Sequence, residues 1–293
     1  MASTVTRAFD ELEAKLRPTD NQRTTIEARR KVTAGYLSDS FGSSSGMRLL
    51  STKVIGSAGR DTIIRPIDDI DVLAVFEDAA FYSYQSDSRK FLYRVRDALS
   101  KYQVKVVGAR GQAVRLFYDA APHVDIVPAV KRDSGGYFIP SGETDSWGRH
   151  QWITTDPDEH ARWMSEQNAA LGNNLKPLIR LLKRWNREHS SHLRSFHLEV
   201  MAAETFGTLG SDRRSASQKF FEWAGGHISV KDPAGHSADL SSYMTSYGRV
   251  QFRSLLDSSS KRAKQAIAAE EAGNRAEAAR LWRIIYGSEF PAL

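Results

Sequence analysis

Cysteine is absent from all 293 residues, which excludes structural disulfides and thiolate zinc sites. No apolar run approaches the ~20 residues that a helix needs to cross a bilayer. The first thirty residues are polar and amphipathic, without the apolar stretch of a signal peptide. A Gly-x-x-x-x-Gly-Lys loop is also missing, so a bound triphosphate must be held by other groups. Internal repeats and low-complexity tracts are lacking as well. Together these gaps fit a cytoplasmic protein with no membrane partner.

What is present points to an ordered, basic protein. Hydrophobic residues make up 41% of the chain and charged residues 26%, enough apolar material for a sizeable core. The net charge of +6 suits polyanionic ligands such as nucleotides or nucleic acid, although a basic surplus alone decides little.

Periodicity divides the chain. Apolar residues at helical spacing predict a helix over 3–16, after which Pro18 and Thr19 break and re-cap the chain before a polar helix over 20–40. Residues 42–46, Gly-Ser-Ser-Ser-Gly, form a joint. From 48 to 140 the texture is that of strands, clearest at 69–76, 103–107, 113–118 and 123–129, with one helix over 86–101. Beyond a loop at 134–150 the pattern is almost wholly helical, with segments at 172–188, 194–208, 215–224 and 245–285, the last broken near Gly273. In 172–188, Leu175, Leu178, Leu182 and Trp185 mark one face, and Lys176, Arg180, Lys183 and Arg187 form a basic stripe on another. The expectation is an α+β protein: N-terminal helices over 1–45, a mixed-sheet core over 46–150 and a helical lobe over 151–293.

The chemistry concentrates in carboxylates. Gly56-Ser57 is followed, eleven residues on, by Asp69-Ile70-Asp71 at the head of an apolar strand. Strand alternation turns Asp69 and Asp71 to one face and Ile70, Val72, Ala74 and Phe76 to the other. Asp125 repeats the pattern as a lone acid in His123-Val124-Asp125-Ile126-Val127. If the two strands are neighbours, three carboxylates surround one point, as two-metal phosphoryl chemistry requires. Hard oxygen donors without cysteine favour Mg²⁺ or Mn²⁺, two ions per site, over zinc. Asp156-Pro157-Asp158 looks similar, but proline forbids a central strand and these acids read as a helix cap. Asp68 points away from its neighbours' face. His189, His192 and His197 match no zinc spacing.

At these residues the sequence resembles the polymerase-β-like nucleotidyltransferases, whose signature is Gly-Ser, Asp-x-Asp and a third acid on a later strand. The runs GSAGRDTIIRPIDDIDVLAVF, VDIVPA, LKPLIRLLKRWN and SFHLEVMAAETF narrow the resemblance to the bacterial CD-NTases, or SMODS proteins, relatives of cyclic GMP-AMP synthase and oligoadenylate synthase. The resemblance spans residues 50–210. It implies a bilobed fold with the active site in a cleft, and template-independent synthesis of a cyclic di- or trinucleotide second messenger in anti-phage defence.

Carried over by residue, Asp69, Asp71 and Asp125 would be catalytic and hold the metals. Gly56 and Ser57 would bind the donor phosphates at a helix start, Lys183 and Ser195 would hold the triphosphate, and Phe196 would stack on the base. Arg60 and Arg65 either reach phosphates or flank the site. The implied partners are ribonucleoside triphosphates, ATP or GTP foremost, a protein or phage-derived activator, and a separate effector protein. Without cysteine there is no zinc insertion like that of the animal DNA sensor.

Read without the resemblance, Lys183 is a solvated helix charge, Ser195 belongs to a helix start, and Phe196 is a core aromatic. The acceptor also stays open. An RNA 3′ end, a protein or a small molecule would serve the same chemistry, and a silent homologue would sense nucleotide without turnover. The presence of all three acids argues against the last.

Overall fold

The computed structural model describes residues 4–102, 105–237 and 239–293. In chain order its elements are α1 (Val5–Leu16), α2 (Asp20–Ser40), β1 (Leu49–Ile55), α3 (Gly56–Gly59), β2 (Asp69–Phe76), α4 (Ala79–Ser83), α5 (Ser88–Leu99), β3 (Lys105–Arg110), β4 (Ala113–Phe117) and β5 (His123–Lys131). They continue with β6 (Tyr137–Thr144), β7 (His150–Thr155), α6 (Pro157–Ala170), α7 (Leu175–Glu188), α8 (Ser195–Glu204), α9 (Arg213–Ala224), α10 (Ser246–Glu271) and α11 (Arg275–Tyr286). By contacts they group into two units. One comprises Met1–Arg17, Asp61–Pro66 and Arg162–Leu293; the other comprises Pro18–Arg60 and Ile67–Ala161. These limits run differently from 1–45, 46–150 and 151–293, because α1 groups with the helices and α2 with the sheet.

The sheet unit is built on β2, whose eight residues match the expected span. The strands run β1-β2-β5-β4-β3, and β6 pairs with β5 and β7. Among the described residues only the β2–β5 pairing is parallel, so the sheet is mixed as anticipated. Alternation along β2 feeds two apolar layers. Phe76 packs edge-on against Phe41 and Phe91, while Leu73 and Val75 join Val127, Ala129 and Ile139 on the other face. Thr19 caps α2 in a capping box with Gln22, at the break that Pro18 signals.

One expectation needs correction here. The loop at 134–150 is largely a hairpin of β6 and β7, anchored where Phe138 stacks on Phe81 and Trp152 packs against Phe81 and Phe91. Its turn is closed by Asp145, which accepts from the Trp147 and Arg149 amides. Glycine and proline masked the strand pattern there. Of the strand expected at 103–107, Gln103 and Val104 lie outside the described residues, and β3 starts at Lys105.

The helical unit surrounds α7. Trp185 is fully buried and donates to Ser259 Oγ at 3.0 Å. Phe9 of α1 meets Trp282, Tyr286 and Phe290 edge-on, which is why α1 belongs with these helices. The break expected near Gly273 separates α10 from α11, with that residue at φ +79°. The basic stripe of α7 is only in part a solvated face: Arg187 is exposed and Lys176 half-buried, whereas Arg180 and Lys183 are buried and paired with Glu13 and Glu199 respectively. Among the described residues no helix is long and apolar enough to cross a membrane.

Candidate active site

Strand register brings the three acids together. In the parallel β2–β5 pair, Asp71 lies opposite Asp125 and Asp69 opposite His123. In the antiparallel β5–β4 pair, Arg115 lies opposite Asp125. Side chains in register share a face, so Asp71, Asp125 and Arg115 form a row across three strands, with Asp69 at its open end. Asp69 is about half exposed, at 48%, whereas Asp125 and Arg115 retain 19% and 20%.

Arg115 had no place in the sequence-based site. Its Nε donates to Asp125 Oδ1 at 2.6 Å, and its Nη2 donates to Asp125 Oδ2 at 2.5 Å and Asp69 Oδ2 at 2.7 Å. The fork therefore covers both oxygens of Asp125 and one of Asp69. Bonding to Asp125 raises the guanidinium's affinity for its proton, against the cost of burial. The available signal was the alternation Val114-Arg115-Leu116, with Arg115 between two buried aliphatics, on a strand whose partner could not be read from sequence.

Asp71 is the acid whose ionisation the site opposes. Burial pushes its carboxyl from 3.8 up to about 6, and the negative charges of Asp125 and Asp69 add to the rise, while Arg60 and Arg115 oppose it. Gly56 makes room for it. A Cβ on Gly56 would come within 2.0 Å of Asp71 Oδ2, and the backbone there has φ +63°, so glycine is required on both counts. Ser57 is the second residue of α3.

These residues suit a hard divalent cation. Three carboxylates converge with one covalently held cation between two of them, and the ionisation of Asp71 is disfavoured. As arranged, however, no three His, Cys, Asp or Glu side chains among the described residues are set to hold a metal ion. Arg115 draws Asp125 and Asp69 to itself instead.

Of the other expected site residues, Lys183, Ser195, Phe196 and Arg65 lie in the helical unit and Arg60 in the sheet unit. Lys183 is buried, pairs with the fully buried Glu199 at 2.6 Å and donates to Thr62 Oγ1 at 3.0 Å; it is therefore not the solvated charge its periodicity allows. Ser195 opens α8 and is exposed. Phe196 is partly buried against the helical core, as a packing aromatic would be. Arg60 is buried. Arg65 donates to the Lys15 carbonyl. His189 and His197 are engaged with the carbonyls of Ile285 and Ile228. Asp156 accepts from the Asp158 and Glu159 amides at the head of α6, and Asp158 pairs with Lys53. The Asp-Pro-Asp motif is thus a helix cap with a surface ion pair.

Known proteins are similar to this chain in sequence and fold. The model of the Second Messenger Oligonucleotide or Dinucleotide Synthetase domain, SMODS, matches residues 3–168. A cyclic AMP-AMP-AMP synthase of Acinetobacter sp. (strain ATCC 27244 / 9458) is 26% identical over 266 residues, covering 82% of this chain and 72% of that protein. CdnC of E. coli MS115-1, solved with ATP, superposes with a TM-score of 0.77 at 19% identity over the whole of both chains, and has also been solved in complex with HORMA-deltaN. The Vibrio cholerae cyclic AMP-GMP synthase DncV, solved with the linear intermediate 5′ pppA(3′,5′)pG, also gives 0.77, at 16% identity over 95% of this chain and 93% of that one. With more than half its length matched by the family model, the chain belongs to the SMODS family: it is a bacterial CD-NTase, an α+β nucleotidyltransferase that synthesises cyclic oligonucleotides.

Proposed function

We propose that Asp69, Asp71 and Asp125 are the catalytic carboxylates of this synthase, holding two Mg²⁺ or Mn²⁺ ions, and that ATP or GTP is the substrate. The register carrying Asp71 opposite Asp125 on the face of Asp69 is the observation that supports the reading most. When bound, such ions neutralise the triphosphate and the charge that develops on the attacking and leaving oxygens.

The chain's own residues do the rest. Gly56 leaves space for the Asp71 carboxylate beside the start of α3, and Ser57 is the hydroxyl nearest in sequence to offer a phosphate a hydrogen bond. A ribose hydroxyl of an acceptor nucleotide attacks the donor α-phosphorus in line. The bond from that phosphorus to the bridging oxygen breaks, and pyrophosphate leaves. Asp125, the acid at the centre of the row, is the acceptor of the hydroxyl proton. A second attack of the same kind within the linear product closes the ring. The nucleotide roles of Lys183, Ser195 and Phe196 rest on resemblance; Lys183 would reach a phosphate only by giving up Glu199 and Thr62. A protein activator and a separate effector answering to the product complete the reading as an anti-phage signal; that CdnC has been solved in complex with another protein supports a protein partner here.

The test is to incubate the protein with the four ribonucleoside triphosphates and Mg²⁺ or Mn²⁺, then treat with phosphatase and analyse the small molecules by mass spectrometry. A resistant cyclic product absent from Asp69→Ala/Asp71→Ala is expected. Linear tails or labelled macromolecules would transfer the chemistry to another acceptor.

A further inference from the structure

Arg115 turns the Nε and Nη2 edge of its fork to the acids. Two of its nitrogens reach both oxygens of Asp125, and Nη2 also reaches Asp69 Oδ2. Arginine stays protonated at every working pH, so this cation cannot be removed by titration; it leaves Asp125 only by moving. The pair is four-fifths buried on both sides, where a charge-assisted, two-point contact outweighs one at an exposed surface. Toward Asp71 the guanidinium contributes charge but no hydrogen bond.

We propose that Arg115 is a built-in counter-cation that sets the order of cation loading. Asp71 and the remaining oxygen of Asp69 take a first divalent ion while Arg115 still holds Asp125. A second ion gains Asp125 only in exchange for the guanidinium. Arg115 is thus a positioning residue that competes for the third acid, and the anionic phosphates of a bound nucleotide offer it a new partner when it is displaced. The inference rests on the reading of the three aspartates as cation ligands.

Mn²⁺ binding without nucleotide, followed by electron paramagnetic resonance, tests it independently of turnover. Wild-type protein is expected to bind one ion tightly and a second weakly. Arg115→Gln should tighten the weaker class about tenfold, the factor equivalent to about 1.4 kcal/mol, and change the tighter class less than about twofold. Asp125→Asn should remove the weaker class. If Arg115→Gln does not fold, Arg115→Lys, which keeps the charge but not the fork, should shift the weaker class in the same direction by a smaller factor. A weaker class that is unchanged or loosened overturns the proposal. So do equal shifts in both classes, which would mean simple charge repulsion. No Mn²⁺ binding by any variant would sink the cation reading of the aspartates together with the proposal, whereas two classes insensitive to Arg115 would leave that reading standing.

Discussion

Replacing Asp71 by asparagine separates stability from catalysis. In the fold the Asp71 carboxyl is held at about 6 against 3.8 in an ordinary setting, by burial first and then by the charges of Asp125 and Asp69. The folded state therefore binds this proton more tightly than the unfolded chain does. Below pH 3.8 both states are protonated and the site costs nothing. As pH rises through the window from 3.8 to about 6, stability is lost, and above it the loss is constant. At about 1.4 kcal/mol per pH unit, the ionised carboxylate costs the metal-free fold about 3 kcal/mol at pH 7.5 and about half that at pH 5. Asp71→Asn removes this cost. Urea denaturation in EDTA should show the variant more stable than wild type at pH 7.5, with the gap narrowing toward pH 5. The same variant should make no cyclic product. Mg²⁺ with nucleotide should then stabilise wild type but not the variant. A variant less stable than wild type in EDTA at pH 7.5, or a gap that ignores pH, would refute the reasoning.

Three further substitutions probe the rest. Gly56→Ala forces a left-handed alanine, costing about 1–2 kcal/mol, and drives a methyl into Asp71; thermal melting should drop and product synthesis fail. Lys183→Met strands Glu199, which is fully buried, and should destabilise by about 3–5 kcal/mol; adding Glu199→Leu should recover most of the loss in a double-mutant cycle. Asp158→Ala removes a carboxylate that is 63% exposed and pairs with Lys53 at the surface; it should cost under about 1 kcal/mol with synthesis intact in the product assay.

The parts of this molecule that were legible in its sequence are those fixed by local alternation and caps. Asp69 and Asp71 stand on one face because β2 alternates, and Asp125 looks like their companion because aliphatics flank it. Pro18 and Thr19 marked the start of α2. What escaped depends on tertiary pairing. Arg115 joins the acids only through the β4–β5 register, which no short-range pattern specifies. An amphipathic pattern cannot distinguish a solvated basic stripe from one buried against glutamates, so the burial of Lys183 beside Glu199 was invisible. The β6–β7 hairpin hid behind glycine and proline because its strands are held by aromatic contacts to Phe81 and Phe91, which are remote in sequence.

The most direct test of the three aspartates as the catalytic centre is anomalous diffraction from crystals grown with Mn²⁺ and a non-hydrolysable ATP analogue. Two peaks are expected, ~3.5–4 Å apart, within coordination distance of Asp69 and Asp71, one of them also on Asp125, with the guanidinium of Arg115 withdrawn from that carboxylate. Nucleotide bound with no peak at these residues, or with Mn²⁺ held elsewhere, would contradict the account.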